Sequence, residues 1–358
     1  MNLEDIARLA GVSRSTVSRV VNNDPRVSEA VRARVKAVIA EYNYHPNAAA
    51  RSLASRRTRV VGLLIPGMAS QIFSDPWFPV MIQGCMDGCQ EQDLSLMLLM
   101  ESETDPDAAN RLIERMLSGR HLDGVVVATS LINPVGARLL EERSVPHVVI
   151  GRTENPEISW VDIDNHRAAY AATAHLLGHG RRRAAMLAGP ASLRASLDRI
   201  AGFEQAAAEA GVPATVHDAE FDQRVAYDRA LELLSGPDPP DAIFCASDVM
   251  AVGVVQAARR LHIAVPEALG IVGFDDIHPT RMAALGITSM RQPARELGHR
   301  AIEILGKRIE RPADPPIHIE LPTELSIRAS CGCLHAGGLA GAEDGERKEG
   351  AIASSTDR

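Results

Sequence analysis

The sequence predicts a small all-α head followed by an α/β core of two doubly wound parallel-sheet lobes. Helical apolar spacing fills residues 1–45, whereas short apolar strands alternate with helical stretches from about residue 60 onward. The length of 358 residues is also more than one domain usually holds. Charge divides the chain at the same place, since residues 1–59 contain 11 lysines and arginines against 5 acidic residues, and the remainder contains 27 against 41. A basic head on an acidic body indicates that nucleic acid binds at one end only.

Composition excludes several classes of protein. Hydrophobic residues make up 46% and charged residues 23%, which is typical of a soluble globular chain. No apolar run reaches the length of a membrane span, and the first residues, MNLEDIARLAG, lack the pattern of a signal peptide, so we expect a cytoplasmic protein with reduced cysteines. Cys331 and Cys333 could bind a metal weakly, but two ligands are too few, so we expect neither a metal nor a cofactor.

The head begins with two short helices. Apolar residues recur at helical spacing from Leu3 to Ala10, Asn2 suits the N-cap, and Gly11 ends this first helix. After a tight turn, a second helix is expected to bury the apolar side chains Val17, Val20 and Val21. Its opposite face carries hydrogen-bonding side chains, again at helical spacing: Ser15, Ser18, Arg19 and Asn22.

A third helix is expected to open at Ser28. Its buried face is predicted to consist of Val31, Val35, Val38, Ile39 and Tyr42. Two short helices joined by a glycine-containing turn, the second with a polar face, are typical of a helix-turn-helix. A small helical bundle with an incidental charged surface is the alternative, and the short apolar stripes and local positive charge disfavour it.

Three sequence elements in the head resemble a known family. They are AGVSRSTVSRVVN at 10–22, VSEAVRARVKAVI at 27–39 and YHPNAAARSL at 44–53. In combination these elements are specific, and the segment resembles the head of the lactose-repressor/galactose-repressor (LacI/GalR) family, with a looser resemblance as far as Cys333. The resemblance implies a DNA-binding transcriptional repressor whose operator affinity is controlled by a small effector.

The resemblance places the second helix in the major groove of a double-stranded DNA operator. Arg14, Ser15 and Arg19 match positions that vary with operator sequence, so we expect them to contact bases. Arg19 can contact guanine in a bidentate manner. The side chains expected to hold phosphates or to support the base contacts are Thr16, Ser18 and Asn22.

A hinge is expected between head and core. Pro46 separates it from the third helix, and the alanine-rich run that follows favours a helix too short to be stable alone. The resemblance implies that two hinges pair across a homodimer and fold on a near-palindromic operator, with Asn47, Ala50 and Leu53 at the DNA and Leu53 kinking a minor-groove step. A disordered linker is the alternative.

The predicted domain limits follow from these elements. We assign a helix-turn-helix domain to 1–45, a hinge helix or linker to 46–58, a two-lobed effector-binding and dimerisation core to 59–333 and a disordered tail to 334–358. Lobe 1 is expected at about 59–160 and 290–320, and lobe 2 at about 161–289 and 321–333.

Buried apolar strands alternate with helices along the core, which predicts parallel sheets. The strand candidates are Val60–Ile65, Leu94–Met100, Gly124–Ala128, His147–Ile150, Ala184–Ala188, Ala242–Cys245 and Leu269–Gly273. Helices are expected at Asp107–Ser118, His166–Leu177, Ala195–Ala210, Val225–Leu234 and Ala251–Leu261. A strand near Ile287–Met290 and a helix at Ala294–Lys307 are expected to cross back to the first lobe. The resemblance, which extends to the periplasmic sugar-binding architecture, places the ligand between the lobes.

Side chains suited to a sugar follow the predicted strands, where open α/β sheets bind ligands. The aromatic residues Trp77, Phe78, Phe221 and Phe274 are expected in loops, where their rings can stack on a sugar or a nucleobase. Arg199 and Asp275 match the family's most regular ligand-holding positions, and their forked donors and paired acceptors suit a polyol. The full set expected to bind the effector is Trp77, Phe78, Arg152, Arg199, Phe221, Ser247 and Asp275.

Structural roles also fit several of these residues. Arg199 could form an interlobe salt bridge, Asp275 could cap a helix, and Trp77 and Phe78 could belong to the core. Asp164 fits the family's VDxDN element near the interlobe crossover, and a structural role for it is as consistent with the sequence as ligand binding.

Motifs for catalysis are absent from the sequence. It contains no G-x-S-x-G, no H-E-x-x-H and no P-loop, so we expect no enzyme. His166, His175 and His179 lie on or just after one predicted helix, where their spacing indicates surface and packing roles. A sugar that releases the protein from DNA is the leading hypothesis. A purine- or nucleoside-responsive corepressor and a sugar-binding module without regulation remain the alternatives.

Overall fold

The computed structural model describes most of the head and core. The described residues are 2–21, 24–44, 57–65, 75–100, 111, 114–116, 118, 121–128, 135–277 and 286–333, with the backbone alone at 135–138. Several predicted features lie outside them: Asn22, the hinge positions Asn47, Ala50 and Leu53, most of the helix Asp107–Ser118, and the tail 334–358.

Three helices form the head: α1 (Leu3–Ala10), α2 (Arg14–Val21) and α3 (Glu29–Glu41). Asn2 caps α1 as predicted, since its side chain accepts from the backbone N–H of Asp5 at 3.0 Å while the Asp5 carboxylate accepts from the Asn2 backbone N–H. Gly11 ends the helix in the left-handed region, with a φ of 61°.

The head has its own small core. Ile6, Val17, Val20 and Val35 are buried in it, and half-buried side chains of α3 pack around them. The prediction that Tyr42 belongs to the buried face is wrong, because α3 ends at Glu41 and leaves this ring 43% exposed. The chain then turns through Asn43, which has a positive φ of 46°, and buries Tyr44 instead.

Two six-stranded sheets form the core. The first has the order β11-β5-β4-β3-β1-β2 and is parallel throughout; its strands are β1 (Val60–Ile65), β2 (Ser95–Met100), β3 (Gly124–Ala128), β4 (His147–Ile150), β5 (Ser159–Ile163) and β11 (His318–Leu321). The second has the order β12-β10-β9-β8-β6-β7 and is parallel except for β12; its strands are β6 (Ala184–Ala188), β7 (Ala214–Asp218), β8 (Ala242–Cys245), β9 (Gly270–Asp275), β10 (Thr288–Arg291) and β12 (Glu324–Ser326). Each sheet is the centre of one lobe.

Helices cover these sheets. The core helices with defined bounds are α4 (Trp77–Glu91), α5 (Val135–Glu142), α6 (Asn165–Leu177), α7 (Arg194–Glu209), α8 (Gln223–Leu234), α9 (Asp248–Arg260) and α10 (Ala294–Glu310). α4 and α10 approach so closely that a Cβ atom added at Gly84 would lie 1.8 Å from the carbonyl oxygen of Arg295. Glycine is therefore required at that contact. Among the described helices, none is both long and apolar enough to cross a membrane.

The chain crosses between lobes at three places. It passes from β5 to α6, from β10 to α10, and from β11 to β12. The prediction that the strand near Ile287–Met290 returns to the first lobe is wrong, because β10 pairs with β9 and β12 of the second sheet. Only the helix that follows it, α10, packs on the first sheet. Residues 161–163, expected in lobe 2, likewise belong to β5 of the first sheet.

Candidate functional site

A cavity of about 110 Å³ lies between the lobes, beside two of the three crossings. Asp162 and Asn165 reach it from the first crossing and Gln292 from the second, while Ile150 and Gly151 contribute from the end of β4. Its walls therefore come from both lobes, and a rotation of one lobe on the other would change its shape.

All seven side chains expected to bind an effector line this one cavity: Trp77, Phe78, Arg152, Arg199, Phe221, Ser247 and Asp275. The topology explains why they meet. Arg152 and Ser247 each follow a strand end by two residues, and Asp275 ends β9. The carboxyl ends of parallel strands therefore bring residues from distant parts of the chain to one place.

Arg199 lies at the centre of the polar side of the cavity. It projects from α7 and is only 6% exposed. Its Nε donates to Oδ1 of Asn165 at 2.9 Å, and its Nη1 donates to the carbonyl oxygen of Ala246 at 2.6 Å. The guanidinium carbon lies 3.7 Å from the ring centroid of Phe274. Among the described residues Arg199 forms no ion pair, so its planar group is held by neutral partners and by an aromatic face.

Asp275 lines the cavity close to the Arg199 guanidinium. Burial raises its pKa to about 7, although the nearby Arg199 charge acts to lower it. Its φ of 105° is in the left-handed region, which is uncommon for any residue except glycine. The amide of Gln292 donates to its Oδ1. This strained backbone at a strand end directs a buried carboxyl toward the cavity.

Two further carboxyl groups border the cavity. Burial raises the pKa of Asp162 to about 6, and it also raises the pKa of Asp75, which accepts from the backbone N–H of Trp77 at 2.9 Å. Arg152, the second cation of the lining, is already engaged by Glu320. The cavity therefore has no excess of positive charge, which disfavours a phosphorylated or otherwise anionic ligand.

Aromatic rings form the apolar wall. The prediction that Trp77 and Phe78 lie in a loop is wrong, because they open helix α4; there they pack edge to face, with ring centroids 5.1 Å apart. Phe221 faces them from the second lobe, and its ring fits only because Gly189 has no side chain: an added Cβ would lie 2.2 Å from the ring. The prediction that Phe274 lies in a loop is wrong, because β9 extends two residues past Gly273 and buries that ring beneath Arg199.

Two buried polar atoms of neutral side chains in the lining have no hydrogen-bond partner within the described part of the chain. They are the indole N–H of Trp77 and the hydroxyl of Ser247. Buried polar groups are nearly always hydrogen-bonded in folded proteins, so an orphan group indicates a bound molecule or water. Both atoms belong to residues that border the cavity, where a ligand's oxygen atoms could satisfy them.

The VDIDN element contributes in a way that sequence reasoning missed. Asp164 caps helix α6 by accepting from the backbone N–H of Arg167 at 2.9 Å. Its neighbours Asp162 and Asn165 line the cavity instead, and Asn165 holds Arg199. The alternation of polar residues along this element was the only available signal, and it does not indicate which of them point inward.

The polar face predicted for α2 is accessible. Arg14, Ser15 and Arg19 are exposed, whereas Val17 and Val20 on the opposite face are buried. The half-buried residues Thr16 and Ser18 lie between these faces. The hydroxyl of Ser13 contacts those of Ser15 and Thr16, each at 2.8 Å, at the start of the helix.

A second cluster was missed as well. We expected Cys331 and Cys333 to lack further metal ligands, but His175 and His179 lie beside them, with the four ligand atoms within 4.8 Å of one another. Surface and packing roles for these two histidines are therefore an incomplete description. Cys333 and His179 are 154 residues apart in the chain, so only the fold brings them together.

Comparison with known proteins divides the chain into the same two parts, the head and the core. The family of bacterial regulatory proteins named for lacI matches residues 2–47, and a periplasmic binding protein-like domain matches residues 173–331. The HTH-type transcriptional regulator CelR of Thermobifida fusca is 33% identical over 336 residues, which cover 92% of this chain and 97% of CelR. The HTH-type transcriptional repressor PurR of Haemophilus influenzae (strain PittEE) is 31% identical over 335 residues, covering 92% of this chain and 98% of PurR.

Solved structures include a close match in architecture. A structure described as the transcriptional regulator CelR–cellobiose complex aligns with a TM-score of 0.70 and 32% sequence identity. It covers 92% of this chain and 99% of the solved chain, so the similarity extends over both head and core.

Proposed function

Because the chain belongs to the lacI family of bacterial regulatory proteins, we propose that it is a transcriptional repressor that leaves its operator when a neutral carbohydrate binds between the lobes. The observation that carries the ligand assignment is the cavity lining, where two neutral unpartnered donors, the buried side chains of Arg199 and Asp275 and an aromatic wall surround one space.

The chemistry of that lining suits a sugar. A pyranose or furanose presents hydroxyls that both donate and accept on its rim, and it presents apolar C–H faces. Arg199 and the indole of Trp77 supply donors, Asp275 supplies an acceptor, and the rings of Phe78 and Phe221 can stack on an apolar face. The lack of excess positive charge supports a free sugar over a sugar phosphate.

The relatives' names support two effector classes to different degrees. The solved relative that matches over 92% of this chain carries cellobiose in its description, which favours a sugar. The name PurR belongs to a relative of similar identity, and an aromatic wall also accommodates a purine base. Purines therefore belong in any ligand screen as the competing class.

For the DNA, we propose that two copies form a homodimer and that each places α2 in the major groove of one half-site of a near-palindromic operator. Arg14, Ser15 and Arg19 would contact bases, and Thr16 and Ser18 would contact phosphates. Asn22, Asn47, Ala50 and Leu53 belong to the same proposal through the family resemblance. The exposure of the first three residues, on a helix whose opposite face is buried, supports this docking.

For the ligand to control DNA binding, the protein must bind the ligand with different affinities in its two lobe arrangements. The coupling free energy in such systems is typically about 1–3 kcal/mol. The cavity lies beside two of the crossings, and Asp162, Asn165 and Gln292 contribute to it from those segments. A ligand that binds these residues would favour one lobe arrangement, and thereby one spacing of the two heads.

The test combines ligand screening with DNA binding. Purified full-length protein is screened by thermal shift against neutral sugars, among them cellobiose and ribose, against sugar phosphates and against purines. Hits are then added to the protein bound to DNA from its own upstream region. We expect a neutral sugar to raise the melting temperature and to lower DNA affinity. A response to purines or sugar phosphates alone would refute the sugar assignment, and the absence of salt-sensitive, sequence-specific DNA binding would refute the repressor.

A matched pair of variants connects the response to the cavity. Gly189→Ala places a methyl group against the Phe221 ring and forces that ring of the cavity wall to shift, so we expect sugar affinity to fall about tenfold, or about 1.4 kcal/mol, with DNA binding retained. Gly236→Ala is the control, because its added Cβ would meet no atom closer than 3.4 Å. Equal sugar affinity in the two variants would exclude this cavity as the site.

A further inference from the structure

Four side chains that commonly ligate metals meet on the second lobe, away from the cavity. His175 lies in the last turn of α6 and His179 follows the end of that helix. Cys331 ends a short 3-10 helix, Ala329–Cys331, and Cys333 follows two residues later. One nitrogen or sulfur atom from each lies within 4.8 Å of all the others.

Three sulfur–nitrogen distances within this cluster are close to those of a tetrahedral zinc site. Nε2 of His175 lies 3.4 Å from Sγ of Cys331 and 3.5 Å from Sγ of Cys333, and Nε2 of His179 lies 3.3 Å from Sγ of Cys333. With Zn–S near 2.3 Å and Zn–N near 2.0–2.1 Å, a sulfur and a nitrogen on one tetrahedral ion are about 3.5 Å apart. These three separations therefore match three sulfur–nitrogen edges of that tetrahedron.

Hydrogen bonding alone is a poorer explanation of the cluster. A thiol that donates to an imidazole accounts for one sulfur–nitrogen contact. Here, however, two sulfurs converge on one nitrogen of His175, and two imidazole rings converge on the sulfur of Cys333. Convergence of several ligand atoms on a common point is what a shared cation requires, whereas thiols are weak hydrogen-bond donors.

Local structure positions the two histidines. They are four residues apart, and although α6 ends at Leu177, Gly178 keeps right-handed helical angles, so His179 follows one further turn along the same side. Their rings are 5.1 Å apart and nearly perpendicular, at 82°. The Nε2 atoms of both rings lie close to Sγ of Cys333, at 3.5 Å for His175 and 3.3 Å for His179.

Local structure also positions the two cysteines. Gly332 between them has a φ of 103°, a conformation that side chains rarely adopt. The hydroxyl of Ser330 donates to the carbonyl oxygen of Ile271 at 2.7 Å and accepts from the backbone N–H of Thr288 at 2.9 Å. These bonds attach the cysteine segment to strands β9 and β10, so its position is set independently of the histidines.

We propose that His175, His179, Cys331 and Cys333 bind one zinc ion in a closed, structural site. Two thiolates and two neutral imidazoles satisfy all four positions of tetrahedral zinc, which leaves none open for a substrate. His179 is exposed and Cys333 is half-buried, so an ion can reach the site from solvent. The ion would join the segment that follows the last strand to helix α6, whose first residue, Asn165, holds Arg199 at the cavity.

Metal content and spectroscopy of the wild-type protein decide the proposal. Tag-free full-length protein, purified with reducing agent and zinc, is dialysed and analysed for metals; we expect one zinc per chain. After removal of zinc, cobalt(II) is added as a spectroscopic probe. We expect the strong visible absorption of tetrahedral cobalt together with a near-ultraviolet thiolate-to-cobalt charge-transfer band, and we expect zinc to displace both.

Variants assign the ligands. Cys333→Ser and His179→Asn should each lower zinc affinity at least as much as the loss of an outer-shell partner does, about 10–100-fold. A chelator should lower the melting temperature of the wild type but not of these variants. His262→Asn is the matched control, since His262 is an exposed histidine of the same lobe at a positive φ that asparagine tolerates, and it should bind zinc like the wild type.

Several outcomes would overturn the proposal. One is wild-type protein that retains no zinc, and another is a cobalt spectrum without a thiolate band. Zinc affinity equal to the wild type in both Cys333→Ser and His179→Asn would exclude these ligands. A disulfide between Cys331 and Cys333 in the reduced, zinc-treated preparation would also overturn it. The first two measurements need no variant, so a variant that fails to fold does not affect them.

Discussion

Asp275 combines burial, an unusual backbone and a pKa near neutrality in one residue. Its carboxyl is 5% exposed, and that burial raises its pKa from 3.8 to about 7 even though Arg199 is close. A strand end with a φ of 105° holds it there, together with a hydrogen bond from Gln292. The protein thus keeps a titratable hydrogen-bond acceptor close to the buried Arg199 guanidinium. This arrangement contributes little to the stability of the fold, and it positions a group for binding.

We expect Asp275→Asn to flatten the pH dependence of stability. Between pH 3.8 and about 7 the folded state retains a proton on this carboxyl that the unfolded state has released. The free energy of unfolding therefore falls as pH rises through that interval, and the contribution is lost above the folded pKa. The melting temperature of the variant should fall less than that of the wild type as pH rises over the same interval. Part of the remaining pH dependence should come from Asp162, whose pKa is raised to about 6.

Melting temperatures measured from pH 4 to pH 8 test this expectation. Asp228→Asn is a suitable control, because Asp228 is an acidic residue half exposed on α8 and paired with Arg224 at the surface. Identical slopes for wild type and Asp275→Asn would show that the Asp275 carboxyl is ionised in the folded protein across the whole range.

Helix α2 is short and depends on the rest of the head for its stability. Eight residues are too few for a stable isolated helix, so the burial of Val17 and Val20 against α1 and α3 holds it in place. That burial leaves the opposite side free for Arg14, Ser15 and Arg19. A rigid helix with one exposed polar face is the geometry that base recognition in a major groove requires.

Arg19→Ala should relax sequence choice more than it weakens overall binding. Loss of a bidentate contact to guanine removes about 1–3 kcal/mol of discrimination at one base pair. Arg26→Ala is the control, since Arg26 is exposed in the loop after α2 and paired with Asp24 at 2.8 Å. Binding to a library of operator variants should show a flattened preference at one position for Arg19→Ala only. Unchanged preferences in Arg19→Ala would contradict the proposed docking of α2.

The three crossings determine how the two lobes can move. Each passes between sheets within a few residues, and the first and second contribute Asp162, Asn165 and Gln292 to the cavity. Residues that belong to a crossing change their surroundings when one lobe rotates on the other. The residues that would contact the proposed ligand and the segments that would move are therefore in part the same.

At the scale of the whole molecule, linkage requires reciprocity. If a sugar lowers operator affinity by some factor, the operator must lower sugar affinity by the same factor. We therefore expect calorimetric titration of the sugar into the protein–operator complex to give a weaker Kd than titration into free protein, with a ratio equal to the sugar-induced loss of DNA affinity. A scrambled duplex is the control. A tighter sugar Kd in the presence of operator would mean corepression instead of release.

The distribution of charge is also a property of the whole molecule. Residues 1–59 are basic while the rest of the chain is acidic in net charge, so we expect most contacts to phosphates to come from residues 1–59. The acidic core repels DNA and limits non-specific coating of the duplex. Binding strength should consequently depend steeply on salt, as expected for contacts concentrated at one end of the molecule.

Local patterns in the sequence were sufficient to predict whether most elements are helices or strands, and to predict the class of protein. Helical spacing located α1 and α2, and apolar runs located β1, β3, β4, β6 and β8 with the bounds that the structure has. The capping pair at the start of α1 and the motifs of the head were equally local. Each of these features is encoded by neighbouring residues, through side-chain periodicity, helix capping and turn conformation.

Tertiary structure decided which distant segments meet. The sequence predicts a strand near residues 287–290 but cannot assign it to a sheet, because backbone pairing is common to all strands and its choice of partner depends on packing elsewhere. For the same reason it does not indicate that Asn165 holds Arg199, or that His175 and His179 lie beside Cys331 and Cys333. Periodicity records which face of an element is buried, whereas contacts between remote elements arise only when the whole chain has packed.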